Sequence, residues 1–383
     1  MTHSDRLEIR CLQLRDVEAI EALAARSPRC EIPGGEPSLA HKLEQFQRWY
    51  GLLKLLRLFP QLRHNVDFYV AEQAGELRGV IQVSPFNAAR STWRIDRALA
   101  ASPAPGLRDV GGQLLRHCFE VIWEARTWIL EVDIHDPDSL ALYRQTGFQP
   151  LAQLTYWAIA PAQLALLAQR QPRLPNLLPV SNADAQLLYQ LDTVAMPPLL
   201  RQVFDRHSDD FKRPLWHGAV SWVQRWLQQT NTVSAYVFEP QRKAAIGSFQ
   251  LTLAGDTAAA HQAELTVHPA YTWLYPELLV HMAQVAQQAA SDRPLAIVSA
   301  DYQPEREEYF EQIGAERDQQ ALLMSRSVWH KLREARPLEG RLQLSDVLQG
   351  LQPARTPVPS RFAWWRSESP EAPERDRPPE HQP

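Results

Sequence analysis

The stretch Trp128-Ile-Leu-Glu-Val-Asp-Ile-His-Asp-Pro-Asp-Ser-Leu-Ala-Leu-Tyr-Arg-Gln-Thr-Gly-Phe148 reads as a strand, a turn, a short helix and a stop. Trp128 to Ile134 is a bounded apolar run, the mark of a buried strand. Asp136, Pro137 and Asp138 are helix-start signals, because acids suit the positive end of the helix and proline's fixed φ suits its first turn. Leu140 and Tyr143 lie three apart on one helical face, and Gly147 is placed to end the helix at C′. The stretch Leu295-Ala-Ile-Val-Ser-Ala-Asp-Tyr-Gln-Pro-Glu-Arg-Glu-Glu-Tyr-Phe-Glu-Gln-Ile-Gly-Ala315 has the same grammar. Pro137 and Pro304 are 167 residues apart, and so are Gly147 and Gly314. The unit occurs twice.

Working outward, residues 7–14 alternate as an opening strand, and Arg15-Asp16 starts a helix with Val17, Ile20, Leu23 and Ala24 on its apolar face. Proline and glycine make 26–37 a loop, and Phe46, Trp49, Leu52, Leu53 and Leu56 predict a helix over 39–58. Asp67–Ala74 and Leu77–Ser84 alternate around Gly75-Glu76 as a hairpin, and Thr92–Ala101 is a further strand. After a loop at 102–112, Gln113–Ala125 is an amphipathic helix, and beyond the opening stretch Leu154–Ile159 is expected to close the domain as a strand. The second half repeats these landmarks in order. Asp16 recurs as Asp184, Gln47-Arg48-Trp49 as Gln224-Arg225-Trp226, Tyr69-Val70 as Tyr236-Val237, Gly79 as Gly247, and Leu114-Leu115 with His117 as Leu278-Leu279 with His281.

The expected architecture is therefore α/β, a mixed sheet flanked by helices, in two tandem domains. Residues 7–160 form the first, 161–177 a proline-marked linker, 178–334 the second copy, and 335–383 a proline- and charge-rich tail expected to be mostly disordered. Within that tail Phe362, Trp364 and Trp365 are either a short anchor or a stray aromatic cluster.

Composition bounds the function. In 383 residues, 45% apolar and 22% charged content supports two ordinary cores, and a net charge of −4 gives no electrostatic case for nucleic acid or an anionic membrane. Cys11, Cys30 and Cys118 form no CxxC pair, no apolar run is long enough to span a bilayer, and residues 1–6 do not read as a signal peptide. A cytoplasmic location is expected. No zinc-ligand spacing and no Gly-x-Ser-x-Gly is found, so no metal is expected.

The element order and three local patterns resemble the GNAT-type acyl-CoA N-acyltransferases. In that family a Leu-x-Val-x-Pro pattern ends the fourth strand, and its exposed backbone groups bind the thioester carbonyl and the pantetheine amides. Leu99-Ala100-Ala101-Ser102-Pro103 is similar with alanine for valine, and Leu265-Thr266-Val267-His268-Pro269 fits fully. The family's Arg/Gln-Gly-x-Gly-Ile-Gly loop, whose amides cradle a pyrophosphate at a helix N-terminus, corresponds to Gly106-Leu107-Arg108-Asp109-Val110-Gly111, followed by Gly112. Gly106 stands for Arg/Gln, Leu107 and Asp109 stand for glycines, and Asp109 would oppose a pyrophosphate. The second copy has Ala270-Tyr271-Thr272-Trp273-Leu274-Tyr275-Pro276, without glycine, and is expected not to bind pyrophosphate in the family's way. The family's Asn-x-x-Ala-x-x-Leu-Tyr-x-x-x-Gly-Phe corresponds to Asp136, Ser139, Leu142, Tyr143, Gly147 and Phe148.

The resemblance implies an N-acetyltransferase that uses acetyl-CoA as co-substrate and carries the acyl group directly to a primary amine on a small molecule or peptide. It implies Tyr143 as the acid that protonates the leaving thiolate; its counterpart Phe310 cannot do so. It implies Leu99, Ala101, Arg108, Val110, Gly111, Gly112, Asp136 and Ser139 around the cofactor. Asp96 and Glu131, on the strands that border the family's cleft, are the candidate bases. His117 and His281 recur in both copies and read as packing residues, and His135 is ambiguous. Trp216, Trp222, Trp226, Tyr271, Trp273 and Tyr275 are expected to fill the second copy's empty cofactor space and to build an interdomain contact, the alternative being a hydrophobic acceptor pocket. The alternative is a catalytically inactive tandem protein, sensing CoA or binding a partner.

Overall fold

The computed structural model describes residues 7–26, 67–100, 107–212, 231–254, 260–290 and 292–328, without the side chains of 24–26 and 107–109. The expected helix over 39–58, Trp216, Trp222, Trp226 and the tail lie outside them. In chain order the first half gives β1 (Glu8–Cys11), α1 (Val17–Arg26), β2 (Asp67–Gln73), β3 (Glu76–Pro85), β4 (Thr92–Ala100), α2 (Leu107–Val121), β5 (Thr127–Asp133), α3 (Pro137–Gln145) and β6 (Gln149–Ile159). Next come α4 (Pro161–Ala168), β7 (Leu177–Pro179), α5 (Ala185–Ala195), α6 (Pro198–Phe204), β8 (Asn231–Glu239), β9 (Ala244–Leu253), β10 (His261–Val267), α7 (Leu274–Ala289), β11 (Leu295–Ala300), α8 (Pro304–Gln312) and β12 (Glu316–Ser327).

Local signals act as the sequence predicts. Asp16 and Asp184 each accept the main-chain N–H three residues before them, from Gln13 and Ser181, both at 2.8 Å. Asp136 caps α3 by accepting the N–H of Ser139 at 3.2 Å. Gly147 and Gly314 stop their helices at φ 91° and 74°, the left-handed region where a Cβ is penalised. Two boundaries move. α2 starts at Leu107, inside the expected loop, so Val110, Gly111 and Gly112 are helical. The expected linker contains α4, because Leu164 and Leu167 bury in the core of the second half.

The twelve strands of the described residues join one sheet in the order β1-β2-β3-β4-β5-β12-β6-β11-β10-β9-β8-β7. Read from either end, the order matches copy to copy, which gives a pseudo-twofold between β12 and β6. β6 does not close its own half, as the sequence led one to expect. It lies antiparallel between β12 and β11, while β12 lies between β5 and β6. The exchange is fixed by burial: Trp157 of β6 sits in the second half's core and Met324 of β12 in the first half's core. Trp157 also donates its indole N–H to Ser299 Oγ at 2.9 Å.

Candidate functional site

In both halves a parallel strand pair opens into a fork. β4 and β5 pair only from Thr92↔Thr127 to Ile95↔Leu130, although β4 continues to Ala100 and β5 to Asp133. β10 and β11 pair from His261↔Leu295 to Ala263↔Ile297, then run on to Val267 and Ala300. Each fork exposes main-chain groups that no neighbouring strand takes.

The copies differ at Asp96. Against β3, Ile95 faces Val83 and Arg97 faces Gln82, so Asp96 is the extra residue of a β-bulge. β10 runs against β9 with no such break. A bulge re-aims one side chain and is common beside functional sites. Asp96 is 3% exposed and accepts from Arg94 Nε at 2.6 Å and from Gln82 Nε2 at 3.4 Å. Glu131 accepts the hydroxyl proton of Tyr156, which reaches it from β6 across β12. Sequence reasoning missed Tyr156, because β6 was expected to close its own domain and not to lie beyond an inserted β12. Its counterpart 167 residues on is Leu323, and that of Glu131 is Val298, so the pair is peculiar to one copy.

On the helical side, the carbonyl of Leu99 faces Gly79: a Cβ on Gly79 would meet it at 3.0 Å and Val110 Cγ1 at 3.0 Å. Gly247 stands in the same way to Thr266 O, Leu274 and Leu278. That fixes the correspondence: Leu99 matches Thr266, Ala98 matches Leu265, Val110 matches Leu274, and Gly111 matches Tyr275. The main-chain groups of β4 turned toward the fork are thus those of Ala98 and Ala100, not those of Leu99. A Cβ on Gly111 would lie 2.8 Å from Leu142 Cδ2, so this glycine is where α2 meets α3, whereas Gly112 has Arg116 as its nearest neighbour at 3.8 Å. Tyr143 is 7% exposed, edge-on to Phe148 at 5.8 Å between ring centroids. Ala101, Gly106 and the side chains of Arg108 and Asp109 lie outside the described residues.

The second fork is filled. Arg306, 4% exposed at the start of α8, donates through Nη1 to Val298 O at 2.9 Å and through Nη2 to Leu265 O, one carbonyl on each diverging strand. Its guanidinium lies over the Tyr275 ring at 5.5 Å. Among the described residues it has no carboxylate ion-pair partner, and burial lowers its pKa, opposed by Tyr275 and Tyr302. The residue 167 earlier is Ser139.

No family model and no curated protein matches the chain. Solved structures do. A tandem GNAT protein from the clavulanic acid biosynthesis pathway, solved without AcCoA, superimposes with a TM-score of 0.53 at 15% identity, over 85% of this chain and 100% of that one. A GCN5-related N-acetyltransferase from Sphaerobacter thermophilus gives 0.51 at 14% identity, over 85% and 97%. The chain has the tandem GNAT fold.

In this tandem GNAT fold the two histidines of the matching helices pack as expected. His117 is edge-on to Tyr69 at 5.2 Å and His281 to Phe249 at 5.6 Å, and burial lowers the pKa of both. Of the expected aromatic filling, Tyr275 lies in the fork and Tyr271 against the second core, but Trp273 is 49% exposed. Contact between the halves is both apolar and polar: Ala152, Leu200 and Leu323 share one buried cluster and Phe86 meets Phe204 at 4.8 Å between ring centroids, while Asn87 Nδ2 donates to Asp205 O at 2.8 Å, Ser91 Oγ to Asp205 Oδ2 at 2.6 Å and Thr92 Oγ1 to Val203 O at 2.8 Å. Beside it, an open cleft of about 500 Å³ between α5 and α6 is lined by Asp192, Met196, Phe204 and Arg206. Burial raises the pKa of Asp192 despite its bond to Arg206 at 3.2 Å. Among the described residues no cluster of His, Cys, Asp and Glu has a metal-binding arrangement, and no helix is long and apolar enough to cross a membrane.

Proposed function

We propose that the chain is an N-acyltransferase whose first half takes an acyl group from acetyl-CoA, or another acyl-CoA, to a primary amine. The reading is supported above all by one difference between the copies. Both have the strand fork, but the positions that fill it in the second half, Tyr275 and Arg306, are Gly111 and Ser139 in the first. An extended ligand with amide groups can pair there with the main chain of Ala98 and Ala100.

In the reaction the amine nitrogen attacks the thioester carbonyl, the C–S bond breaks, and the acceptor gives up one proton while the thiolate takes one. Glu131, held by Tyr156, or Asp96, presented by its bulge, receives the ammonium proton. Tyr143 supplies the proton to sulfur. Main-chain N–H groups at the fork stabilise the charge that develops on the carbonyl oxygen. The domain extents proposed are 7–160 and 178–334, each completed by the last strand of the other, with a cytoplasmic site of action.

Calorimetric titration of the full chain with acetyl-CoA tests the first step, and absence of binding at millimolar ligand would overturn it. Thiol release over an amine panel tests the second. Tyr143→Phe is expected to slow release by about 10²-fold or more, and undiminished turnover would clear Tyr143 of its role. The packing of Tyr143 against Phe148 favours a second reading, CoA binding without transfer. Binding with no thiol release from any amine would support it.

A further inference from the structure

The two copies differ at a pair of positions whose side chains meet in the second fork. In the first, Gly111 on α2 and Ser139 on α3 are both small. In the second, their counterparts Tyr275 on α7 and Arg306 on α8 are both large and lie one over the other at 5.5 Å. Arg306 spans the fork and donates to Leu265 O of β10 and to Val298 O of β11. A buried guanidinium without a carboxylate is costly, and main-chain carbonyls at a split strand pair are equally costly if left without donors. Here the two carbonyls and the two Nη groups satisfy one another, and Nε alone is left without an acceptor among the described residues. The carbonyl of Leu265 corresponds to that of Ala98 on β4.

We propose that Tyr275 and Arg306 form an internal stopper, occupying the second fork in place of a ligand and confining acyl-CoA to one molecule per chain. The inference rests on the acyl-CoA reading of the first half and adds the device that silences the second. The guanidinium supplies the N–H donors that an amide-bearing arm would otherwise bring to β10, and the tyrosine ring takes the volume of that arm. The guanidinium is tied to both diverging strands, through Nη1 to β11 and through Nη2 to β10.

Hydrogen–deuterium exchange read by mass spectrometry on the full chain tests this. The probes are CoA and pantetheine, which carries the same two amides and thiol without phosphate. In the native chain CoA is expected to slow exchange in 92–100 and to leave 261–267 and 295–300 unchanged. Arg306→Ser is expected to gain a pantetheine-dependent slowing in 261–267, whereas Arg306→Met, which keeps the bulk, gains none. Tyr275→Ala is a second opening variant should Arg306→Ser fail to fold. CoA protection of 261–267 in the native chain would overturn the stopper, as would an opening variant, folded by circular dichroism, that is blind to pantetheine. A missing CoA effect at 92–100 counts against the functional reading alone, and the pantetheine arm still decides the stopper.

Discussion

Glu131 and Tyr156 are brought together by strands that are not neighbours, so their bond depends on the inserted β12. A base that loses its carboxylate should lose most of its catalytic contribution. Glu131→Gln is expected to lower kcat/KM by about 10²–10⁴-fold. Tyr156→Phe removes only one hydrogen bond to a charged group, and a loss of about 10- to 100-fold, mostly in kcat, is expected from steady-state rates. His261 offers a test independent of catalysis. It is wholly buried, Nδ1 accepts the N–H of Ala254 at 3.1 Å, and Nε2 therefore carries the proton facing Ala290 O at 3.3 Å. A second proton on Nδ1 would break the Ala254 bond, and burial lowers the pKa, with Arg293 adding to it. The unfolded chain takes up that proton near the ordinary pKa of about 6.5 while the folded chain resists it. Stability is therefore full above that pH and falls as pH drops below it. His261→Phe should flatten the fall of unfolding free energy between about pH 7 and pH 5. An unchanged slope in urea titrations would contradict the assignment.

At the scale of elements, the approach of helix to sheet is set by a glycine in each half, and the two should not tolerate change equally. A methyl on Gly79 meets the carbonyl of Leu99 at 3.0 Å, which is main chain and cannot rotate away. A methyl on Gly247 meets the Cδ1 atoms of Leu274 and Leu278 at 3.0 and 3.1 Å, which can. Gly79→Ala is expected to cost about 1–3 kcal/mol and Gly247→Ala less, from urea midpoints at constant m. Short helices were legible where their punctuation is local. Asp136, Pro137 and Gly147 announced α3 within a residue or two. The start of α2 was not legible, because Gly111 and Gly112 read as loop, whereas Val110 packing on Gly79 and Gly111 packing on Leu142 hold that turn in a helix. α4 was hidden by its flanking prolines, although Pro161 is a helix-starting residue when Leu164 and Leu167 have a core to enter.

For the whole molecule, the exchange of β6 and β12 makes each half incomplete. A fragment ending at Ile159 would leave β5 without β12 and expose Trp157. Two such fragments can rebuild the sheet by swapping β6, since copy and partner are related by the same pseudo-twofold. Light scattering is expected to find the fragment as a dimer, and a folded monomer would contradict the exchange. The sequence by itself determined the repeated unit, its caps and its stops, because those are properties of residues close in the chain. The tertiary structure alone decided which strand lies beside which, since β6 and β12 have apolar patterns that suit either half. It alone placed Arg306 on Leu265, forty-one residues earlier, where a side chain from a helix meets carbonyls that only the parting of two strands leaves bare.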